Sequence, residues 1–200
     1  EGRIDYIEFV PVGGDGGGGE GSSVLRKAVA ASSDDTDQNA NGGAINLTKS
    51  DLELGDSGRD LGLRFTGLDL AGVDPADLID AYIEFTARDG SSGTVSATLK
   101  IEDSLSAATF SAANTPADRD TFAFETNWTD SAVPGSGATF RTDSFAEALE
   151  SFLVANQGAV SDSDELAFVI EDIGGVRKTL SFDGGAAPEL VLVFQDDVIL

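Results

Sequence analysis

Residues 79–102 decide the fold: IDAYIEFTA (79–87), a turn RDGSSG (88–93), then TVSATLKIE (94–102). In the first segment Ile79, Ala81, Ile83 and Phe85 alternate with Asp80, Tyr82, Glu84 and Thr86. In the last, Val95, Ala97, Leu99 and Ile101 alternate with Ser96, Thr98, Lys100 and Glu102. Side chains of an extended chain point to opposite faces at every step, so this period of two predicts strands with one face in a core and one in water. With a polar, glycine-containing turn between them, the two segments read as an antiparallel hairpin.

The same reading extends in both directions. VLRKAVAA (24–31), AINL (44–47), DLEL (51–54) and LGLRF (61–65) precede it as strands, and Pro75 excludes a central strand position in the connection that follows. TFAFETNW (121–128) is the most aromatic strand, with Phe122, Phe124 and Trp128 at even spacing, so Trp128 is expected in the core. ELAFVIEDI (165–173), VRKTLSF (176–182) and PELVLVF (188–194) complete the set. One helix interrupts it at DSFAEALESFLVAN (143–156), where Ser144 and Glu147 have capping-box spacing and Phe145, Leu149, Phe152 and Leu153 form one stripe. Short strands separated by polar turns predict an all-β sandwich or barrel, with the helix plugging one end or edge.

Composition narrows the chemistry. The chain of 200 residues carries 36 acidic and 12 basic side chains, a formal charge of -24 that repels nucleic acid and anionic membranes. Cysteine is absent, which removes disulfides and thiolate chemistry; histidine is absent too, which removes the commonest general base and transition-metal ligand. Carboxylates and carbonyls remain, and they suit hard cations such as calcium. No apolar run is long enough to span a membrane as a helix. The absence of an initial methionine fits a processed mature form.

The first twelve residues, EGRIDYIEFVPV, stand apart behind the tract GGDGGGGEGSS. Ile4, Tyr6, Val10 and Val12 point to one side of an extended chain, and Ile7 and Phe9 to the other, so the strand needs burial on both faces. A Gly-rich tether of this length has a root-mean-square span of about 18 Å and reaches roughly 37 Å when fully extended. Either distance permits docking on its own domain or on a neighbour. Burying the six apolar side chains gives on the order of 9 to 18 kcal/mol gross, against association costs of roughly 4 to 15 kcal/mol. The organisation expected is therefore a donor strand (1–12), a linker (13–23), a sandwich (24–195) and a tail (196–200) whose Val198, Ile199 and Leu200 form an apolar tip.

Asp37, Asn39, Asn41 and Gly42 match the first half of an Asp-x-[Asp/Asn]-x-[Asp/Asn]-Gly calcium loop, where alternate side chains converge on one ion. Position twelve is Thr48 rather than a bidentate Glu, so a helix-loop-helix motif is excluded and the ion would recruit distant oxygens. Asp34, Asp35, Asp51, Asp56 and Asp172 are the candidates. For sugar stacking, Tyr82 is the one ring expected on an exposed strand face. Asn46 and Asn127 open Asn-x-Thr acceptor sequences, of which Asn46 is the better placed. The acid pairs Glu171/Asp172 and Asp162/Asp164 read as solvated charge rather than glycosidase carboxylates.

The succession SSDDTDQNANGGAINLTKSDLEL, LGLRF, AYIEFTA, TFAFETNW and VRKTLSFDGGAAPELVL resembles a domain attached to many secreted bacterial proteins, similar to the carbohydrate-binding modules of polysaccharide-degrading systems. The resemblance covers residues 24–195 and implies secretion, a jelly-roll sandwich and a structural calcium ion. It thins at Asp37, Gln38 and Asn39, where the family pattern is more acidic. The arm lies outside it and resembles the donor strands of pilus and fibre subunits, in which one subunit's terminal strand completes the next subunit's sheet. The expectation is a non-enzymatic, extracellular or cell-surface filament subunit, a head-to-tail homopolymer of identical subunits. The alternative is a calcium-stabilised carbohydrate-binding module.

Overall fold

A computed structural model describes residues 8–9, 21–39, 43–55 and 59–195, with the side chains of Glu8, Phe9, Asp172 and Ile173 left aside. The strands are β1 (Glu8–Phe9), β2 (Ser22–Ala28), β3 (Asp35–Gln38), β4 (Asp51–Gly55), β5 (Asp60–Leu68), β6 (Leu78–Thr86), β7 (Ser92–Glu102), β8 (Thr121–Asp130), β9 (Thr139–Arg141), β10 (Asp164–Leu180) and β11 (Glu189–Gln195). One sheet runs β1-β2-β11-β6-β9 and the other β3-β5-β10-β7-β8, with β4 also paired to β10. Every strand pair is antiparallel. The protein is an all-β sandwich with one short helix, α1 (Ala146–Ala155). Among the described residues no helix is long and apolar enough to cross a membrane.

The decisive stretch folds as strands but not as a hairpin. β6 lies in the first sheet between β11 and β9, whereas β7 lies in the second between β10 and β8. Val95, Ala97, Leu99 and Ile101 of β7 face Ala81, Ile83 and Phe85 of β6 across the core, all of them buried. Alternation predicts an amphipathic strand equally well for a hairpin partner or for the opposite layer, because each needs one apolar face. Crossing between layers at β5, β6 and β7, and again at β9, β10 and β11, gives the winding of a jelly roll.

Two apolar side chains expected inside point out. β11 pairs Val193 with Asp80 and then Phe194 with Leu78, a bulge that skips Ile79 and leaves it 53% exposed while Leu78 takes the core position. β7 pairs Lys100 with Glu125 and then Glu102 with Thr121, so β8 carries extra residues at that point and Phe124 turns outward, 43% exposed. Trp128 is only 2% exposed and stacks with Phe85 and Phe140, at centroid distances of 6.3 and 6.4 Å.

The segments at 165–173 and 176–182 form one continuous strand, β10, whose ladder shifts register around Gly174 and Gly175. Gly175 has φ +73° and Gly55, opposite Val176 on β4, φ +95°; a Cβ on Gly55 would lie 1.8 Å from the Gly175 carbonyl oxygen. Only glycine admits this approach. The AINL segment contributes a single bridge, Ile45 to Gln38. Helix α1 buries Ala148, Leu149, Phe152 and Leu153 against β6 and β8, closing the edge between the sheets. The expected capping box is not formed: Phe145 holds the cap position without a side-chain bond, and the Ser144 hydroxyl accepts from the Ala81 N–H at 3.5 Å.

Candidate functional site

The acidic segment predicted as a loop is an edge strand. Asp35–Gln38 pairs with β5 (Asp35 with Leu63, Asp37 with Leu61), and Asp34 through Gln38 are all buried. Burying carboxylates requires countercharge or hydrogen bonds. Asp34 receives the Arg64 guanidinium at 2.6 Å, and Arg64 also reaches Glu165 at 2.7 Å. Asp37 accepts from Lys49 at 2.6 Å, from the Glu53 N–H at 3.0 Å and from Arg59 at 3.4 Å. Asp34 and Asp37 therefore carry cationic partners supplied by the chain itself. Asn39 is exposed at the end of β3; Asn41 and Asp56 lie outside the described residues. Asp51 begins β4 opposite Leu180, two residues before the Phe182 bonded to Asp35, and Asp172 lies within β10 opposite Ala97 of β7.

Asp35 differs from both neighbours. Its carboxylate accepts the Phe182 N–H at 2.7 Å, and no cation among the described residues forms an ion pair with it. Burial pushes its pKa up to about 7, and the negative charges of Asp183 and Asp34 add to the rise against the opposing Phe182 bond. Phe182 and Asp183 begin the β10–β11 loop, which is tied down by the Ser32 hydroxyl donating to Asp183 at 3.0 Å. This loop walls a cleft of about 550 Å³ whose lining includes Phe182, Glu84, Glu189, Val29 and Ala187. Arg26 bridges the two glutamates at 3.3 and 3.1 Å.

One face of the Tyr82 ring is covered by the Arg141 guanidinium, 4.3 Å from the ring centroid. Asn46 is exposed, its side-chain oxygen accepting from the Thr48 N–H at 3.1 Å. Asn127 is exposed on β8. Of the arm residues Ile4, Tyr6, Ile7, Phe9, Val10 and Val12, only the Phe9 backbone lies within the described residues; the others lie outside them. There β1 adds to the outer edge of β2, Glu8 opposite Val24 and Phe9 opposite Ser23. β2 is paired along its whole length with β11 on its other side.

Two arginines that pattern reading passed over hold the sandwich together. Arg177, 1% exposed, donates to the carbonyls of Gly93, Val176, Asp130 and Ala132, joining the ends of β7 and β8 to β10. Arg119 pairs with Glu102, donates to the Ala108 carbonyl at 2.6 Å and lies over the Phe110 ring. Gln38 links the Gly43 carbonyl to the Ala117 N–H. For Arg177 the available signal was a cation inside a strand segment, which does not name its partners; Arg119 lies in the loop between β7 and β8, where alternation is silent.

Compared with known proteins, the chain matches no family model. No curated protein matches its sequence.

Proposed function

We propose that the chain is a structural subunit of an extracellular filament, in which the N-terminal strand of one subunit joins the sandwich of the next. β1 carries this reading: a strand that pairs antiparallel with β2 is joined to it by residues 10–21, far more chain than the two to five residues of an ordinary hairpin loop. A tether of this kind lets the strand reach the same edge on its own sandwich or on a second copy, and the second choice propagates head to tail. Beyond Val24, β2 offers further edge from Leu25 to Ala28. A groove of about 380 Å³ beside that edge, lined by Val24, Leu25, Val73 and Phe194 among others, offers room for apolar side chains. Secretion enters through the resemblance of residues 24–195.

The test compares three proteins by negative-stain microscopy and sedimentation: the full chain, a variant lacking residues 1–12, and one in which Asn-Gly replaces residues 11–21. The expected result is filaments from the first and single particles from the other two, since a two-residue turn confines the strand to its own sheet. Filaments of unchanged geometry from the truncated protein refute the proposal.

The cleft at Phe182 favours a second reading as a carbohydrate-binding module. A ring 39% exposed stands there beside Glu84 and Glu189, an apolar platform with polar groups at its side. Titration against a polysaccharide panel tests it; saturable binding lost in Phe182→Ala supports it, and absence of saturable binding removes it.

A further inference from the structure

The two bulges at Ile79 and Phe124 belong to different sheets, yet they aim their side chains into one groove. This groove of about 400 Å³ is lined by Ile79, Phe124, Glu125, Thr126, Asn127, Ser144, Phe145, Ala146 and Glu147. It runs between the start of β6, β8 and the first turn of α1. A bulge re-aims a side chain at a cost in ladder pairing, and such devices concentrate at edges and functional sites. Two independent bulges exposing two large hydrophobic residues to the same space set this groove apart from scattered surface apolar groups.

The floor of the groove is a strand edge. Among the described residues β8 ends the order of its sheet and pairs only with β7. The Thr129 N–H points away from β7 and donates to Asp143 at 3.0 Å, so alternation directs the backbone groups of Asn127 and Glu125 outward as well. Neither has a main-chain partner on that side among the described residues. Glu125, Asn127 and Phe124 are exposed there. An occupant that satisfies N–H and C=O groups in a row while filling an apolar slot is an extended peptide added as a further strand. The rim supplies its charge: Glu147 flanks the slot on one side and Glu125, its carboxylate 3.8 Å from Lys100, on the other, on a chain of formal charge -24. The arm of this chain, with Glu1, Asp5 and Glu8 against Arg3, has the wrong sign for that rim.

We infer that the β8 edge is a docking site for an extended segment of another protein, apolar at alternate positions and cationic between them. The apolar side chain enters between Ile79 and Phe124, while the backbone pairs with Glu125 to Asn127. This site is separate from the β2 edge used by the arm, so it stands or falls independently of filament formation.

The probe is a labelled synthetic peptide, Lys-Val-Lys-Val-Lys-Val-Lys, titrated by fluorescence anisotropy into the full chain at roughly physiological salt, where exposed long-range charge is screened beyond about 8 Å. Phe124→Ser empties the slot and Asn127→Pro removes an outward N–H while leaving the β7 side intact. Ile79→Ser provides a second slot variant should either of these fail to fold, as judged by melting temperature. The expected result is saturable binding, weakened about tenfold or more by each variant, the equivalent of losing one good contact. Equal affinity in the wild type and the variants reduces the attraction to bulk charge and overturns the site. Equal binding of Glu-Val-Glu-Val-Glu-Val-Glu, or no saturable binding of the cationic peptide, overturns it too.

Discussion

Asp35→Asn tests the buried carboxylate most directly. The side chain keeps its shape and its acceptor for the Phe182 N–H, and loses only the capacity to ionise. The folded-state pKa stands near 7 against an ordinary value of 3.8, raised first by burial and then by Asp183 and Asp34. A raised pKa means that the folded protein binds the proton more tightly than the unfolded chain does. Its stabilising contribution is therefore fully present below pH 3.8 and is lost as pH rises through 7. The whole window corresponds to about 4 kcal/mol, and the interval from pH 5 to pH 8 to roughly 3 kcal/mol. The other charged groups close by are paired or hydrogen-bonded, Asp34 with Arg64 and Asp183 with Ser32, and they are common to both proteins. Wild-type stability minus that of the variant, from urea melts at each pH, isolates Asp35 from the general repulsion among acids. That difference should move by roughly 3 kcal/mol against the wild type between pH 5 and pH 8, or about 6 to 12 °C in melting temperature for a chain of this size. Parallel pH profiles for the two proteins refute the account of Asp35 as a proton-binding carboxyl in the folded state.

Further outcomes follow from the same geometry. Arg177→Ala leaves four carbonyls without their donor and removes a buried cation, and should destabilise the fold by about 3 to 5 kcal/mol in denaturant melts; a loss below roughly 1 kcal/mol means the clamp carries little. Gly55→Ala forces a Cβ into the Gly175 carbonyl and should cost more than about 3 kcal/mol, whereas Gly72→Ala, also at positive φ but in open space, should cost about 1 kcal/mol, and equal melting temperatures would contradict this contrast. Chelation should leave the melting temperature unchanged, because Lys49, Arg59 and Arg64 already neutralise Asp37 and Asp34; a drop on chelation would require a calcium site built from other oxygens. Trp128 emission should be blue-shifted in the native state and move red on unfolding, and native emission typical of water would place the ring outside the core.

What could be read from the sequence was local. The strands around 79–102, the buried Trp128 and the apolar stripe of α1 each follow from a periodicity carried within a few residues, since one strand face or helix stripe must be apolar to be buried. The missing cysteine and histidine excluded whole chemistries before any fold was known. The carboxylates of 34–37 were recognisable as unusual, but not their partners, because Lys49, Arg59, Arg64 and Phe182 reach them only through folding. The same limit applies to the sheets: period two says that Ala81 and Val95 face a core, and is silent on whether β6 and β7 share a layer or oppose each other. The bulges at Ile79 and Phe124 arise from a mismatch between paired strands distant in sequence, a property of the pair that neither strand carries alone. Alternation and composition are properties of the chain and determined the all-β class; partner, register and exposure are set by non-local pairing, and those the tertiary structure alone decided.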